Sequence, residues 1–180
     1  MGIGAVPDCV FENLEHHKDL SIASEMLSDG AVKLIEKGVV TNRYKAFYPG
    51  VSTCTFILGT RKLYDFVDDN PRVFAIDVDV NNDPAEIRRN PRMCAVNSAL
   101  EIDLTGQVCA ESLGAVHYSG VGGQLDFISG AAASEHGKPI IVLPSQTSKG
   151  ISRIVDKVGS NDDFQRAYER CLSSSKKERV

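Results

Sequence analysis

One short run limits the fold of this chain more than any other: Tyr118-Ser119-Gly120-Val121-Gly122-Gly123-Gln124-Leu125-Asp126-Phe127. Three glycines within four residues let the backbone turn sharply and approach another group with no Cβ in between. An apolar, alanine-bearing stretch follows, so the run predicts a glycine corner that opens a helix over 125–133, its free N–H groups pointing back into the loop. Such a corner suits a phosphate, a carboxylate or an oxyanion. It equally suits the packing of a helix onto a sheet, and other residues must converge on it to decide.

The rest of the chain alternates strands and helices. Gly2-Ile3-Gly4-Ala5-Val6 reads as a strand-to-helix turn with Pro7 at the first helical position, leading into Val10, Phe11 and Leu14 at helical spacing. Leu20-Ser21-Ile22-Ala23 reads as a short strand ending at Ser24-Glu25, and Ser28 or Asp29 caps a helix that carries Val32, Leu34 and Ile35 and stops at Gly38. Residues 52–58 and 73–76 read as strands flanking a helix that starts at Thr60 and ends before Pro71. Asp83-Pro84-Ala85-Glu86 places a cap, a first-turn proline and an acidic third residue in order. Met93 to Asn97 returns as a strand. Leu100, Ile102 and Leu104, alternating with Glu101 and Asp103 before Thr105-Gly106, predict a hairpin with one polar, solvated face. Pro139 to Leu143 reads as a buried strand. The alternation implies an α/β fold: a mixed, largely parallel sheet with helices on both faces.

A chain of 180 residues has room for one domain with a sizeable core. The net charge of -4 argues against nucleic acid or an anionic membrane surface as the main partner, and no apolar run approaches the roughly 20 residues of a membrane span. Cys9, Cys54, Cys94, Cys109 and Cys171 are scattered, with no CxxC pair and no histidine at ligand spacing. They imply buried thiols in a reducing compartment, cytoplasmic or mitochondrial matrix rather than secreted, and no zinc. The adjacent His16 and His17 cannot share a helix face and read as solvated.

In open α/β sheets ligands gather at the carboxyl ends of strands. Glu25 falls there, directly after a short apolar strand and before a capped helix. It reads either as a helix-start carboxylate steadied by the macrodipole or as a carboxylate nucleophile held on a rigid element. Asn97 aims an amide into the same cleft or caps a turn. Glu101 and Asp103 share one strand face and read as an acid/base pair or, more simply, as the wet side of the hairpin. Lys149 and Arg153 form a small basic loop available to a phosphate or merely solvated.

Gly2-Ile3-Gly4-Ala5-Val6-Pro7, Ser24-Glu25-Met26, the stretch from Asn97 to Gln107, the run from Ser119 to Phe127 and the stretch from Lys149 to Val155 stand in one order. Together they resemble the acetyl-CoA hydrolase/transferase family, nearest to its 4-hydroxybutyrate and butyrate-type coenzyme A transferases. The resemblance covers about residues 2–156 and implies an incomplete C-terminal-type domain of a class I coenzyme A transferase, with 157–180 as a divergent polar tail. It implies Glu25 as the nucleophile that becomes a glutamyl-CoA thioester. It implies a coenzyme A pocket drawn from Gly2, Ile3, Gly4, Ala5, Val6, Asn97, Gly120, Gly122, Gly123 and Lys149. The substrates would be an acyl-CoA and a short-chain carboxylic acid of the acetate, butyrate or 4-hydroxybutyrate class, or water in a hydrolase. No metal or further cofactor is implied, and the chain would pair with a first domain or with its own copies. A non-catalytic remnant that keeps the coenzyme A cradle, or binds a partner, predicts the same residues without chemistry at Glu25. Nucleotide binding at 120–123 is disfavoured, because no acidic ribose-binding residue stands at the required distance.

Overall fold

The structure is a computed structural model and describes residues 5–113 and 116–158. The chain begins with helix α1 (Ala5–Glu12), strand β1 (Met26–Leu27), helix α2 (Asp29–Glu36), strands β2 (Ser52–Cys54) and β3 (Phe56–Ile57), helix α3 (Arg61–Val67) and strand β4 (Val73–Ala75). Two short helices follow, α4 (Val78–Asn81) and α5 (Pro84–Ile87), then strands β5 (Cys94–Ser98), β6 (Glu101–Asp103), β7 (Val108–Cys109), β8 (Ser112–Leu113) and β9 (Val116–His117). Helix α6 (Gln124–Ala133), strand β10 (Lys138–Val142) and strand β11 (Ile154–Val155) complete it.

The α/β class and the mixed, largely parallel pairing hold. β1–β3, β2–β4, β5–β10 and β6–β11 pair in parallel, while β6–β7 and β8–β9 are antiparallel. The pairs form two- and three-stranded sheets rather than one unbroken ladder. Helix α2 carries Ala31, Val32, Leu34 and Ile35 inward at helical spacing, and with Phe11, Ile22, Leu27, Cys54 and Leu63 they make one core. Burying a leucine as fully as Leu34 contributes about 1.5–3 kcal/mol. A second core joins Ile87 of α5 to Ala95 of β5 and to Phe127, Ile128 and Ala131 of α6. Gly130 permits this approach, since a Cβ there would lie 2.4 Å from the Ile87 Cγ2.

Several local expectations hold in detail. Gly38 sits just beyond α2 with φ +72°, and the Asp83 carboxylate accepts the Ala85 N–H at 2.8 Å as the cap of α5. Gly106 closes the β6–β7 hairpin with φ +87°.

Others are corrected. Helix α1 starts at Ala5, so Pro7 is its third residue rather than its first. The strand expected over 20–23 makes only two isolated bridges, Leu20 to Val40 and Ala23 to Thr53. Glu25 therefore precedes the regular strand β1 instead of following one. β10 is not buried: Lys138, Pro139 and Ile140 are exposed, because β5 is its sole sheet neighbour among the described residues, although α6 packs against the strand. Cys9 and Cys94 are exposed, whereas Cys54 and Cys109 are buried, and Cys171 lies outside the described residues. His16 and His17 are exposed, as expected.

The hairpin's polar face is also not uniformly solvated. Asp103 is buried and accepts the Thr105 hydroxyl at 2.6 Å and the N–H groups of Thr105, Gln107 and Val158 at 2.9, 3.0 and 3.3 Å. Burial pushes this carboxyl up, but the Thr105 hydroxyl and the three backbone donors outweigh it and hold it below the usual carboxylate range. Asp103 is a clasp for the turn, not half of an acid/base pair.

Candidate active site

The nucleophile candidate sits on an interruption in the parallel pairing. The Ser24 N–H reaches the Thr53 carbonyl at 3.1 Å, after which the Glu25 carbonyl accepts two successive donors, Thr55 N–H at 2.7 Å and Phe56 N–H at 3.0 Å. Two N–H groups on one carbonyl make a bulge-like irregularity, which separates β2 from β3 and re-aims the side chain beside it.

Helix α4 locks this irregularity from outside. The Asn81 amide donates to the Ser24 carbonyl at 2.8 Å and to the Thr55 hydroxyl at 3.0 Å, and the Thr55 hydroxyl lies 3.4 Å from Asn82 Oδ1. Both asparagines are buried. Sequence reasoning missed them, because Val78–Asn81 is too short to show a helical period. The one available signal was Asp77, whose carboxylate caps the helix by accepting the Asp79 N–H at 3.0 Å.

Held this way, Glu25 is half-buried and meets the glycine corner. Its Oε2 accepts the Gly123 N–H at 3.0 Å. Gly123 is the N-cap of α6, so the carboxylate lies at the positive end of that helix. Glycine is required at this point for room, not for conformation: φ is -74°, yet a Cβ would lie 2.4 Å from Asn82 Nδ2 and 2.9 Å from Glu25 Oε2. A Cβ on Gly122 would stand 3.6 and 3.7 Å from the two Glu25 oxygens. The Asn82 amide nitrogen and the Glu25 carboxylate thus border the same small space beside Gly123. Asp126, in the first turn of α6, is pushed up from the usual carboxylate range by burial first, then by the negative charges of Glu25 and Asp83.

The other expected residues are placed as follows. Gly120 is exposed, with open space where its Cβ would be. Asn97 lies in β5 opposite Ile141, half-buried, and its side chain makes no hydrogen bond among the described residues. Lys149 is exposed in a turn closed by Gly150 N–H to Thr147 O at 2.9 Å. Arg153 braces the fold instead, donating from Nη1 to the Leu100 carbonyl at 3.1 Å. Ala5 and Val6 open α1, while Gly2, Ile3 and Gly4 lie outside the described residues. The structure therefore brings together Glu25, Gly122 and Gly123, and adds Asn82 and Asp126 to them.

A half-buried carboxylate, a backbone donor on one of its oxygens and a nearby amide form a set suited to acyl transfer through a covalent intermediate. Comparison with known proteins points the same way. The profile of the acetyl-CoA hydrolase/transferase C-terminal domain matches residues 59–169. The chain is 50% identical over 155 residues to the 4-hydroxybutyrate coenzyme A transferase of Clostridium kluyveri, a match that covers 86% of this chain and 36% of that protein. It is 49% identical over 171 residues to the succinyl-CoA:acetate/propanoyl-CoA:succinate CoA transferase of Fasciola hepatica, covering 93% of this chain and 36% of the relative. The crystal structure of RipA from Yersinia pestis superposes with a TM-score of 0.85 at 42% identity, covering 89% of this chain and 37% of that one. The chain thus spans little more than a third of the length of the curated relatives it matches. By its sequence profile and by the fold just described, it belongs to the acetyl-CoA hydrolase/transferase family, through that family's C-terminal domain.

Proposed function

We propose that this chain carries the nucleophile-bearing part of a coenzyme A transferase, which moves coenzyme A between an acyl-CoA and a short-chain carboxylic acid by way of Glu25. The observation that carries the reading is the 3.0 Å hydrogen bond from the Gly123 N–H to Glu25 Oε2. It divides the two oxygens of one carboxylate into different roles.

Oε2 is held, so Oε1 attacks the thioester carbonyl. The C–S bond breaks, giving an acyl-glutamyl anhydride and coenzyme A thiolate. The thiolate then adds to the Glu25 carbonyl carbon, where the developing negative charge falls on Oε2, the atom already facing the Gly123 N–H. Collapse breaks the anhydride C–O bond, releases the first acid as its carboxylate and leaves a glutamyl-CoA thioester. An incoming carboxylate runs the sequence backwards and departs as the new acyl-CoA. A preplaced donor of this kind typically supplies a factor on the order of 10²–10³ in rate. The Asn82 amide, beside the same atom, is a second donor for the charge. Asn97, Gly120 and Lys149, with the segment from Gly2 to Val6, are proposed to hold the coenzyme A portion, its phosphates favouring the exposed Lys149 ammonium.

Incubation with acetyl-CoA or butyryl-CoA, followed by hydroxylamine and peptide mapping by mass spectrometry, tests the reading. Hydroxamate on Glu25 is expected in the wild type and absent in Glu25→Gln. An unmodified Glu25 in folded protein would instead favour a non-catalytic binding role. A specific observation keeps that second reading in view: Val116, Tyr118 and Val121, beside the glycine corner, are 68, 68 and 55% exposed. These apolar side chains are suited to pairing with a further domain or a second chain, which the same peptide map would leave intact. The buried thiols Cys54 and Cys109 fit a reducing compartment such as the cytoplasm or the mitochondrial matrix.

A further inference from the structure

Next to the segments that lead into the site lies a lysine that the mechanism above does not use. Lys45 is 6% exposed, and its ammonium donates to the Ile22 carbonyl at 2.9 Å, the Val51 carbonyl at 2.8 Å and the Thr53 hydroxyl at 3.0 Å. All three protons are used, and no carboxylate among the described residues pairs with the charge. An ammonium kept this far from water is costly unless its donors are met, and here the three acceptors meet them.

What it joins is informative. Ile22 and Thr53 lie on the two extended segments that converge on the Glu25 irregularity, one leading to Ser24-Glu25 and the other to Thr55. The first segment meets the second through a single parallel bridge, Ala23 to Thr53, with Thr53 N–H on the Ile22 carbonyl at 3.2 Å and Ser24 N–H on the Thr53 carbonyl at 3.1 Å. Polar side chains reinforce this short register. Asn42, buried and at φ +56°, accepts the Ile22 N–H at 2.8 Å and donates to the Ser52 hydroxyl at 3.0 Å, while Lys45 spans the same gap. A slip between Ile22 and Thr53 would carry Glu25 away from the Gly123 N–H.

We propose that Lys45 is a positioning residue for Glu25, a cationic staple that reinforces the register of the segment bearing the nucleophile. The proposal rests on the reading of Glu25 given above, and its test separates the two. Lys45→Met removes the staple, and Thr53→Val removes one acceptor and serves if the first variant does not fold. Amide hydrogen exchange at Gly123 reports the hydrogen bond to Glu25, and exchange at Ala131, inside α6, reports stability of the helix. The variants should raise exchange at Gly123 about tenfold relative to Ala131, the equivalent of losing one hydrogen bond to a charged group. They should also slow acylation of Glu25 by about tenfold or more. Parallel changes at Gly123 and Ala131, or no change at either, would overturn the proposal and leave Lys45 as a contributor to stability alone. A wild type that is never acylated refutes the transferase reading, while the exchange ratio still decides the role of Lys45.

Discussion

Replacing Gly123 with alanine puts one methyl group into the tightest point of the site. The backbone there, at φ -74° and ψ 9°, is open to any residue, so no conformational strain confuses the outcome. The added carbon would lie 2.4 Å from Asn82 Nδ2 and 2.9 Å from Glu25 Oε2. Restoring ordinary contact at 3.4 Å requires the amide to retreat by about 1 Å and the carboxylate by about 0.5 Å. The 3.0 Å bond from Gly123 N–H would then stretch beyond useful length. A displacement of about 1 Å at a reacting group costs on the order of 10²-fold, and loss of one oxyanion donor 10²–10³-fold. Acylation of Glu25 should therefore slow by about 10²–10³-fold. Stability should fall by about 1–3 kcal/mol, the usual cost of overpacking a filled site, here against the buried Asn82. Rapid-quench mixing with acyl-CoA and intact mass spectrometry gives the rate, and thermal unfolding gives the stability. Gly122→Ala, whose Cβ would stand no nearer than 3.6 Å to the carboxylate, should be much the milder variant. A folded Gly123→Ala protein that is acylated within about fivefold of the wild-type rate would refute the assigned role of this N–H.

Three further outcomes follow from charge. Burial lowers Lys45 from 10.5 to about 8, so the unfolded chain binds more protons across that interval and stability rises as pH climbs from 8. Burial raises the Cys54 thiol from 9.0 to about 11, which works in the opposite direction above pH 9. Urea midpoints should therefore rise between pH 8 and 9 by the equivalent of about 1 kcal/mol, and Lys45→Met should abolish the rise. For Asp126, whose folded carboxyl is raised, stability falls as pH rises through its titration; Asp126→Asn should raise the unfolding temperature at pH 7 and lose that advantage below pH 3.8. Asp103 has the opposite sign, because its folded carboxyl is lowered and its stabilisation is present above pH 3.8 and lost in acid. Asp103→Ala should cost on the order of 2 kcal/mol at pH 7 by denaturant titration, since three backbone donors lose their acceptor.

Where the chain states its structure in local chemistry, the sequence was readable. The Asp83 cap, the Gly38 stop, the Gly106 turn and the helix after Gly123 each depend on a few adjacent residues. Placement of Glu25 near the glycine corner was reached through the ordered motifs rather than through periodicity. Its immediate setting was not readable, because the bulge arises from Thr55 and Phe56, about 30 residues away in the chain. Asn81 and Asn82 escaped notice for the same reason: their partners are Ser24 and Thr55. Lys45 stands in no motif and no periodic run, and only the converging carbonyls of Ile22 and Val51 reveal its burial. Asp103 and β10 show the converse error. Alternation of residue types gives the two faces of a strand but not which face another segment will cover.

Strand β10 has a consequence for handling the protein. Among the described residues it pairs with β5 alone, and a strand edge of that kind invites addition of a strand from another molecule. Lys138 and Pro139 guard its first half, one with a charge that must stay wet and the other by withholding a donor. From Ile140 to Val142 the guard is gone. Intermolecular β-addition in concentrated solution would begin at those three residues, and a lysine at position 140 is the replacement that would extend the protection along the strand.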